Sequence, residues 1–369
     1  MANPGQSVIT IYPDRLIANW RWLDSQTAST CRTAAVVKAD AYGLGLAGIA
    51  PILHQAGCRD FCVAQLAEGI ALRQLLPDVS IQVLEGLLPG TEADYTAYQL
   101  TASLNDASQI ARASAMQETG SAPPPWLHID TGMARLGLPD LPESLPDGLR
   151  LAGVMSHLAC ADQPHHKLNR EQLARFSTLA GRLEGPASLA ASGGILLGPD
   201  WHFDRTRAGI ALYGFAPLPV RDGLSPVFDW HAALLQVFSV EAGQTVGYGA
   251  DFIAEKPMRL ATVGAGYADG YARSLSGVGV IEIAGYLTRP VGRISMDLTV
   301  VDVTAVPAGL LDRATHACLL GAHYTAADMA RDRGTISYEV MTGLGGRSVR
   351  HYDGTGQGAF GRPTQTRQD

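Results

Sequence analysis

Between residues 33 and 213 the sequence repeats one unit eight times: a short, near-continuous apolar run, then a stretch of helical length. The runs are "TAAVVKA", "DFCVAQ", "SIQVLEG", "LTASLN", "WLHIDTG", "LRLAGVMSH", "ASLAAS" and "RAGIALYG". Ala, Val, Ile and Leu without polar alternation suit strands buried on both faces of a parallel sheet. The stretches between them are amphipathic. In "LNREQLARFSTLAGRLE", Leu173, Phe176, Leu179, Ala180 and Leu183 fall on one helical stripe. Eight strand–helix units is the number that closes a (β/α)8 barrel. A doubly wound open sheet competes, but no GxGxxG follows the first strand to mark a dinucleotide site.

Beyond residue 230 the texture changes. "LLQVFSVEAGQTVGYG", "RLATVGAGYADG", "GVIEIAGYLTRPVGRISMD" and "LTVVDVT" are β-branched runs broken by glycine turns, the pattern of a separate, mostly β domain. The Pro- and Gly-rich "LPVRDGLSPVFDW" marks the join. The expected division is therefore an α/β chain with a barrel over 1–229 and a β-rich C-terminal domain over 230–369. An earlier strand, "SVITIYP", can pair with either domain. Charged residues make up only 17% of the chain and the net charge is −7, which leaves no basic footprint for nucleic acid. "MANPGQSVITIYPDRL" has no basic and apolar leader pattern, and no long apolar run suggests a membrane span. The five cysteines are scattered without zinc-site spacing. A cytoplasmic enzyme with free thiols is the expectation.

Barrel enzymes collect their chemistry at the C-terminal ends of the strands. At those positions stand Lys38 after the first run, Arg135 after the fifth, His157 after the sixth and Ser192 after the seventh, while Arg207 begins the eighth. Each residue alone also suits a plain solvated loop; together on one rim they form a candidate site. A lysine set among apolar strand residues loses hydration, which favours its neutral amine. A neutral amine can form a Schiff base, and pyridoxal phosphate is the common cofactor held that way. Ser192, Gly193, Gly194 and Gly209 stand where barrel phosphate cradles often lie, although glycines there also serve as ordinary turn residues.

"AVVKADAYGLG", "HIDTGMARLG", "RAGIALYG", "VGAGYADGYAR", "VGRISMD" and "ISYEV" resemble, in order and spacing, the successive motifs of the alanine racemases, pyridoxal-phosphate enzymes of fold type III. The resemblance implies a barrel followed by a β domain. It implies that Lys38 bonds the cofactor and that Tyr42, Ser192, Gly209, Ile210 and Tyr338 contact its phosphate. Arg135 then lies near the cofactor's phenolic oxygen and the substrate carboxylate, His157 packs beside the cofactor, and Arg207 faces its pyridine nitrogen. Tyr267 corresponds to a second catalytic base, and Met296 offers its backbone N–H to the substrate, with Asp297 in support. It further implies a homodimer in which Tyr267 and Met296 reach a partner's barrel, and D-alanine made for peptidoglycan.

The chemistry is consistent with those roles. Racemisation removes an α-proton from one face and returns one to the other, so a two-base route places Lys38 and Tyr267 on opposite faces. A phenol is a poor base at neutral pH; Arg273 is the sequence's candidate for a supporting cation. Two positions depart from the family's usual pattern. His128 stands where a lysine, often carbamylated, holds the arginine matching Arg135, and Ala191 replaces an asparagine before the phosphate-binding serine. A racemase of serine or basic amino acids, a fold type III decarboxylase and a non-catalytic cofactor-binding protein are the alternative readings.

Overall fold

The computed structural model describes residues 7–120, 122–218 and 223–354. Two compact units divide the chain: Leu16–Ser225, and residues 7–15 together with 226–354. The expected join at 229/230 thus falls a few residues beyond the observed one. The strand of "SVITIYP", β1 (Val8–Ile11), belongs to the second unit.

The first unit is the barrel. Its strands are β2 (Arg32–Val36), β3 (Asp60–Val63), β4 (Ser80–Val83), β5 (Thr101–Leu104), β6 (Trp126–His128), β7 (Gly153–Met155), β8 (Ala187–Ser188) and β9 (Arg205–Ala208). Each falls within or overlaps one of the eight apolar runs. All neighbours are parallel, in the order β8-β7-β6-β5-β4-β3-β2-β9. The ring is completed where the Asp204 N–H donates to the Ala187 carbonyl (3.1 Å) and the Arg207 N–H to that of Ala190 (2.9 Å). Helices follow the strands, among them Lys167–Ala180 in the "LNREQ" stretch.

That helix buries Phe176 and Leu179 as expected, but beside them lie Asn169 and Gln172, while Leu173, Ala180 and Leu183 are only half-buried. Two polar residues are inside because they satisfy loop backbone. The Gln172 amide donates to the His157 carbonyl (2.9 Å) and accepts from the Ala159 N–H (2.9 Å), while Asn169 donates to the carbonyls of Cys160 and Gln163. A buried loop carbonyl without a partner costs more than a leucine would gain there.

The barrel interior is not wholly aliphatic either. Arg205 is buried, donates to Gln82 Oε1 (2.8 Å) and Cys62 Sγ (3.2 Å), and lies 4.9 Å from the Trp126 ring centroid. The ring face and two acceptors offset part of the hydration that a buried guanidinium gives up, while Nε has no partner among the described residues. Cys31, Cys58, Cys62, Cys160 and Cys318 are all free thiols.

The second unit is built on a mixed sheet. It contains β10 (Phe228–Val240), β11 (Thr245–Val246), β12 (Phe252–Ile253), β13 (Met258–Val263), β14 (Ile281–Ile283), β15 (Tyr286–Thr288), β16 (Thr299–Asp302), β17 (His316–Leu320) and β18 (Val349–Tyr352). The sheet order β15-β14-β17-β10-β1-β18 is extended by β13 and β16 alongside the far half of β10. The strand β10 can serve both halves because a bulge between Leu234 and Gln236 re-aims it. Strand β1 is antiparallel to β10 and parallel to β18, with Val8 opposite His231 and Val349. Helices Ala326–Arg333 and Ser337–Thr342 complete the unit. The first has a reciprocal cap, Thr325 bonding the Asp328 N–H and the Asp328 carboxylate bonding that of Thr325.

Candidate active site

Lys38 sits half-buried just past β2, where the backbone turns abruptly. Ala39, Asp40, Ala41 and Tyr42 have φ of 53°, 53°, 54° and 56°, a complete left-handed turn without glycine, closed by Gly43 at 82°. Such a conformation costs roughly 1–2 kcal/mol per residue, so it persists only where the surroundings over-determine it. Here they do. The Ala39 N–H donates to Glu68 Oε1 (2.5 Å), the Leu46 N–H to Asp40 Oδ1 (2.7 Å), and the Gly45 N–H to the Asp40 carbonyl (2.9 Å). The turn buries Tyr42 against Tyr213, with ring centroids 4.7 Å apart. A Cβ on Gly209 would lie 2.5 Å from the Tyr42 hydroxyl, so glycine at that position lets the phenol approach the chain after β9.

Beside it, the Ser192 hydroxyl accepts the N–H groups of Gly209 (2.9 Å) and Ala211 (3.2 Å). Ile210 begins a helical turn, 210–213, and opening N–H groups have no partner within such a turn. Ser192, Gly209, Ile210 and Tyr42 therefore converge on one part of the rim. Ala191 supplies no side-chain cap to the helix that Ser192 opens.

Arg207 is the third residue of β9 rather than its first. It is buried, and among the described residues no carboxylate pairs with it. Its guanidinium donates to the carbonyls of Ser188 (3.0 Å), Ser156 (2.6 Å) and Leu189 (3.2 Å) and to the Ser188 hydroxyl, with His157 Nδ1 at a long 3.5 Å. Burial lowers its pKa to about 10. Burial, then the charges of Arg207 and Arg135, push His157 down to about 3, so its imidazole is neutral at physiological pH. Lys38 is lowered by burial first and by Arg135 second, against a weaker opposing influence from Glu68. Two guanidinium groups, beside a lysine amine and neutral imidazoles, give this rim a field suited to an anionic ligand.

His128, at the end of β6, is 7% exposed. Its Nδ1 lies 2.7 Å from Asn105 Oδ1. The Asn105 amide nitrogen faces the carbonyls of Glu85 (3.1 Å) and Ser103 (3.3 Å), which fixes the oxygen on the histidine side. Nδ1 therefore carries the proton and Nε2 keeps its lone pair. Burial, with Arg207 and Arg135, lowers this histidine to about 4. Arg135 is exposed on a loop shaped by the Asp130 carboxylate, which accepts the N–H groups of Gly132, Met133 and Ala134. Among the described residues its guanidinium makes no hydrogen bond or ion pair; its influence on Lys38, His128 and His157 is through charge.

Tyr267, Met296 and Tyr338 lie on the β-rich unit and are all exposed there, Tyr267 at 44% and Met296 at 52%. The first two are brought together: the Tyr267 N–H donates to the Ser295 carbonyl (3.1 Å) and the Ala268 N–H to that of Met296 (3.0 Å). A Cβ on Gly266 would meet the Ser295 and Met296 carbonyls at 2.3 and 2.4 Å, which explains the glycine before Tyr267. The cation tied into this loop is Arg347, bonded to Asp269 and Asp297; the Arg273 side chain makes no hydrogen bond or ion pair among the described residues. Asn105, Gln172 and Arg347 carry no local motif.

Residues 11–217 match the family model of the alanine racemase N-terminal domain, and residues 227–352 match that of the C-terminal domain. A catabolic alanine racemase of Agrobacterium fabrum is 45% identical over 336 residues, 88% of this chain and 87% of the relative. A biosynthetic alanine racemase of the same bacterium is 41% identical, covering 93% of each. The alanine racemase of Bartonella henselae, solved with covalently bound pyridoxal phosphate, superimposes with a TM-score of 0.87 at 36% identity, covering 95% of this chain and all of that one.

Proposed function

The chain belongs to the alanine racemase family and interconverts L- and D-alanine, and we propose that it does so on pyridoxal phosphate held by Lys38, with Tyr267 as the opposing base. The observation that carries this reading is Lys38 itself. It is half-buried at the end of the first barrel strand, its amine is biased toward the neutral form, and a strained turn at the same point drives Tyr42 inward. The residues present fit the cofactor: the Ser192 hydroxyl, the Ile210 N–H and the Tyr42 phenol meet where a Cβ on Gly209 would be excluded. When bound, the cofactor withdraws electrons from the substrate's Cα, which makes its proton removable.

The rest is the work of this chain's own groups. Tyr267 moves the proton at the face leading from L-alanine and Lys38 the proton at the face leading from D-alanine. Arg135 and the Met296 N–H hold the carboxylate. Arg207 would face the ring nitrogen of a bound cofactor as a donor that does not give up its proton readily. It withholds charge neutralisation there and disfavours side reactions such as transamination. His157, neutral at working pH, lies beside it. Tyr338 completes the phosphate contacts.

We also propose a homodimer with shared sites, because Tyr267 and Met296 face outward from their own unit, a cytoplasmic location, and D-alanine supply for peptidoglycan. Among the described residues no helix is long and apolar enough to cross a membrane. Borohydride treatment of the purified protein followed by peptide mapping tests the central assignment. The label is expected on Lys38, and a label on any other lysine refutes it.

A further inference from the structure

Tyr267 and Met296 sit on irregular loops, yet a base must be held to within a fraction of an ångström of its target. Backbone bonds join the two loops, and one guanidinium ties a side chain of each together. Asp269, 4% exposed, accepts the Gly266 N–H at Oδ2 (3.0 Å), folding the loop that presents Tyr267 back on itself. Arg347 grips that carboxylate with two parallel bonds, Nε to Oδ1 (3.0 Å) and Nη2 to Oδ2 (2.8 Å). Its remaining nitrogen reaches Asp297 Oδ1 (2.7 Å), on the residue next to Met296.

A third loop closes the assembly. The Gly345 N–H donates to the Asp269 carbonyl (2.8 Å), and Arg350 donates to the carbonyls of Gly345 and Ser348. A Cβ on Gly345 or Gly270 would strike the opposing backbone at 2.6 Å, so these loops pack without slack. Without Arg347, the two carboxylates would bring like charges to one junction with no cation between them.

We propose that Arg347 is a positioning residue for racemisation: through Asp269 it sets Tyr267, and through Asp297 it sets the Met296 N–H. This rests on the assignment of Tyr267 as a base and Met296 as a carboxylate donor. The two arms make separable contributions. Loosening the Asp269 arm displaces the base and lowers kcat; loosening the Asp297 arm displaces the donor and raises KM. Lysine keeps the charge but cannot fork to three oxygens.

The test uses the cofactor-loaded enzyme in D2O with D-alanine, separating deuterated D-alanine, formed by exchange at the Lys38 face, from deuterated L-alanine, formed by inversion. Displacement of a base by about an ångström costs on the order of 10²-fold. Arg347→Lys is therefore expected to lower inversion by about that factor while exchange without inversion persists, so their ratio rises. Asp297→Asn is expected to raise KM with kcat little changed. Arg347→Lys decides the matter if Arg347→Ala does not fold. A ratio unchanged in Arg347→Lys, or inversion and exchange falling together, overturns the proposal. Tyr267→Phe is the reference: if it inverts at the parent rate, the assignment of the base has failed and the positioning role falls with it. If it is impaired while Arg347→Lys is not, only the role of Arg347 is lost.

Discussion

His128 makes the protein's acid stability calculable. The unfolded chain binds a proton at this position below about pH 6.5, and the folded chain only below about pH 4. Between those values the unfolded state holds more protons, so stability falls as pH is lowered through the window and is fully recovered above it. The pKa difference corresponds to about 2 kcal/mol lost at pH 5 relative to pH 7.5. Replacing His128 by Gln removes the titration and keeps a group able to donate to Asn105. Other titrating groups, His157 included, are present in both proteins, so their contributions cancel in the comparison. Urea unfolding of each at pH 7.5 and pH 5, at one protein concentration, reads the difference directly. The parent's advantage over His128→Gln is expected to shrink by about 2 kcal/mol on acidification. An advantage that stays constant between the two pH values refutes the reasoning, because it means that the folded protein accommodates the imidazolium in place.

Gly209→Ala would put a methyl 2.5 Å from the Tyr42 hydroxyl. Overpacking of about 1–3 kcal/mol should weaken cofactor binding measured by equilibrium dialysis, and unchanged affinity would show that Tyr42 moves freely. Because His128 cannot form the carbamate that a lysine forms, activity should be indifferent to rigorous removal of bicarbonate; activity that falls and returns on its addition contradicts this. Lys38→Ala and Tyr267→Phe chains, each severely impaired alone, should regain activity when unfolded and refolded together, since one site of a mixed dimer pairs the two intact residues. Verified mixed dimers without activity would place Tyr267 in its own chain's site or outside catalysis.

The barrel strands were legible because burial on both faces leaves apolar runs such as "DFCV", with each residue buried. Lys38, Ser192 and Arg207 were legible because they stand at the ends of such runs, Arg207 opening the eighth. Polar residues turned inward were not. Gln172 and Asn169 occupy a helix face whose partners are loop carbonyls, and no periodicity records a carbonyl. Arg205 is inside the barrel because Trp126, Gln82 and Cys62 meet there across three other strands. The cation beside the Tyr267 loop was sought nearby, at Arg273, but is Arg347, which lies 78 residues from Asp269. The left-handed turn after Lys38 was signalled only by the glycines that end it; nothing in "ADAY" asks for positive φ, and the surrounding hydrogen bonds impose it.

The membership of β1 in the second sheet bears on how the protein is made. The Ser7 hydroxyl accepts from Trp230 Nε1 across 223 positions and bonds the Ser348 hydroxyl across 341. At synthesis rates of about 5–20 residues per second, β1 waits on the order of 20–70 s for its last neighbour. During that interval every strand of the barrel has been produced. Of the described strands, β1 is made before all the others yet is among the last to complete its pairing, and until β18 arrives it is an apolar segment with an open edge. Molecular chaperones that bind extended apolar segments would find a target there while the barrel strands are still being made.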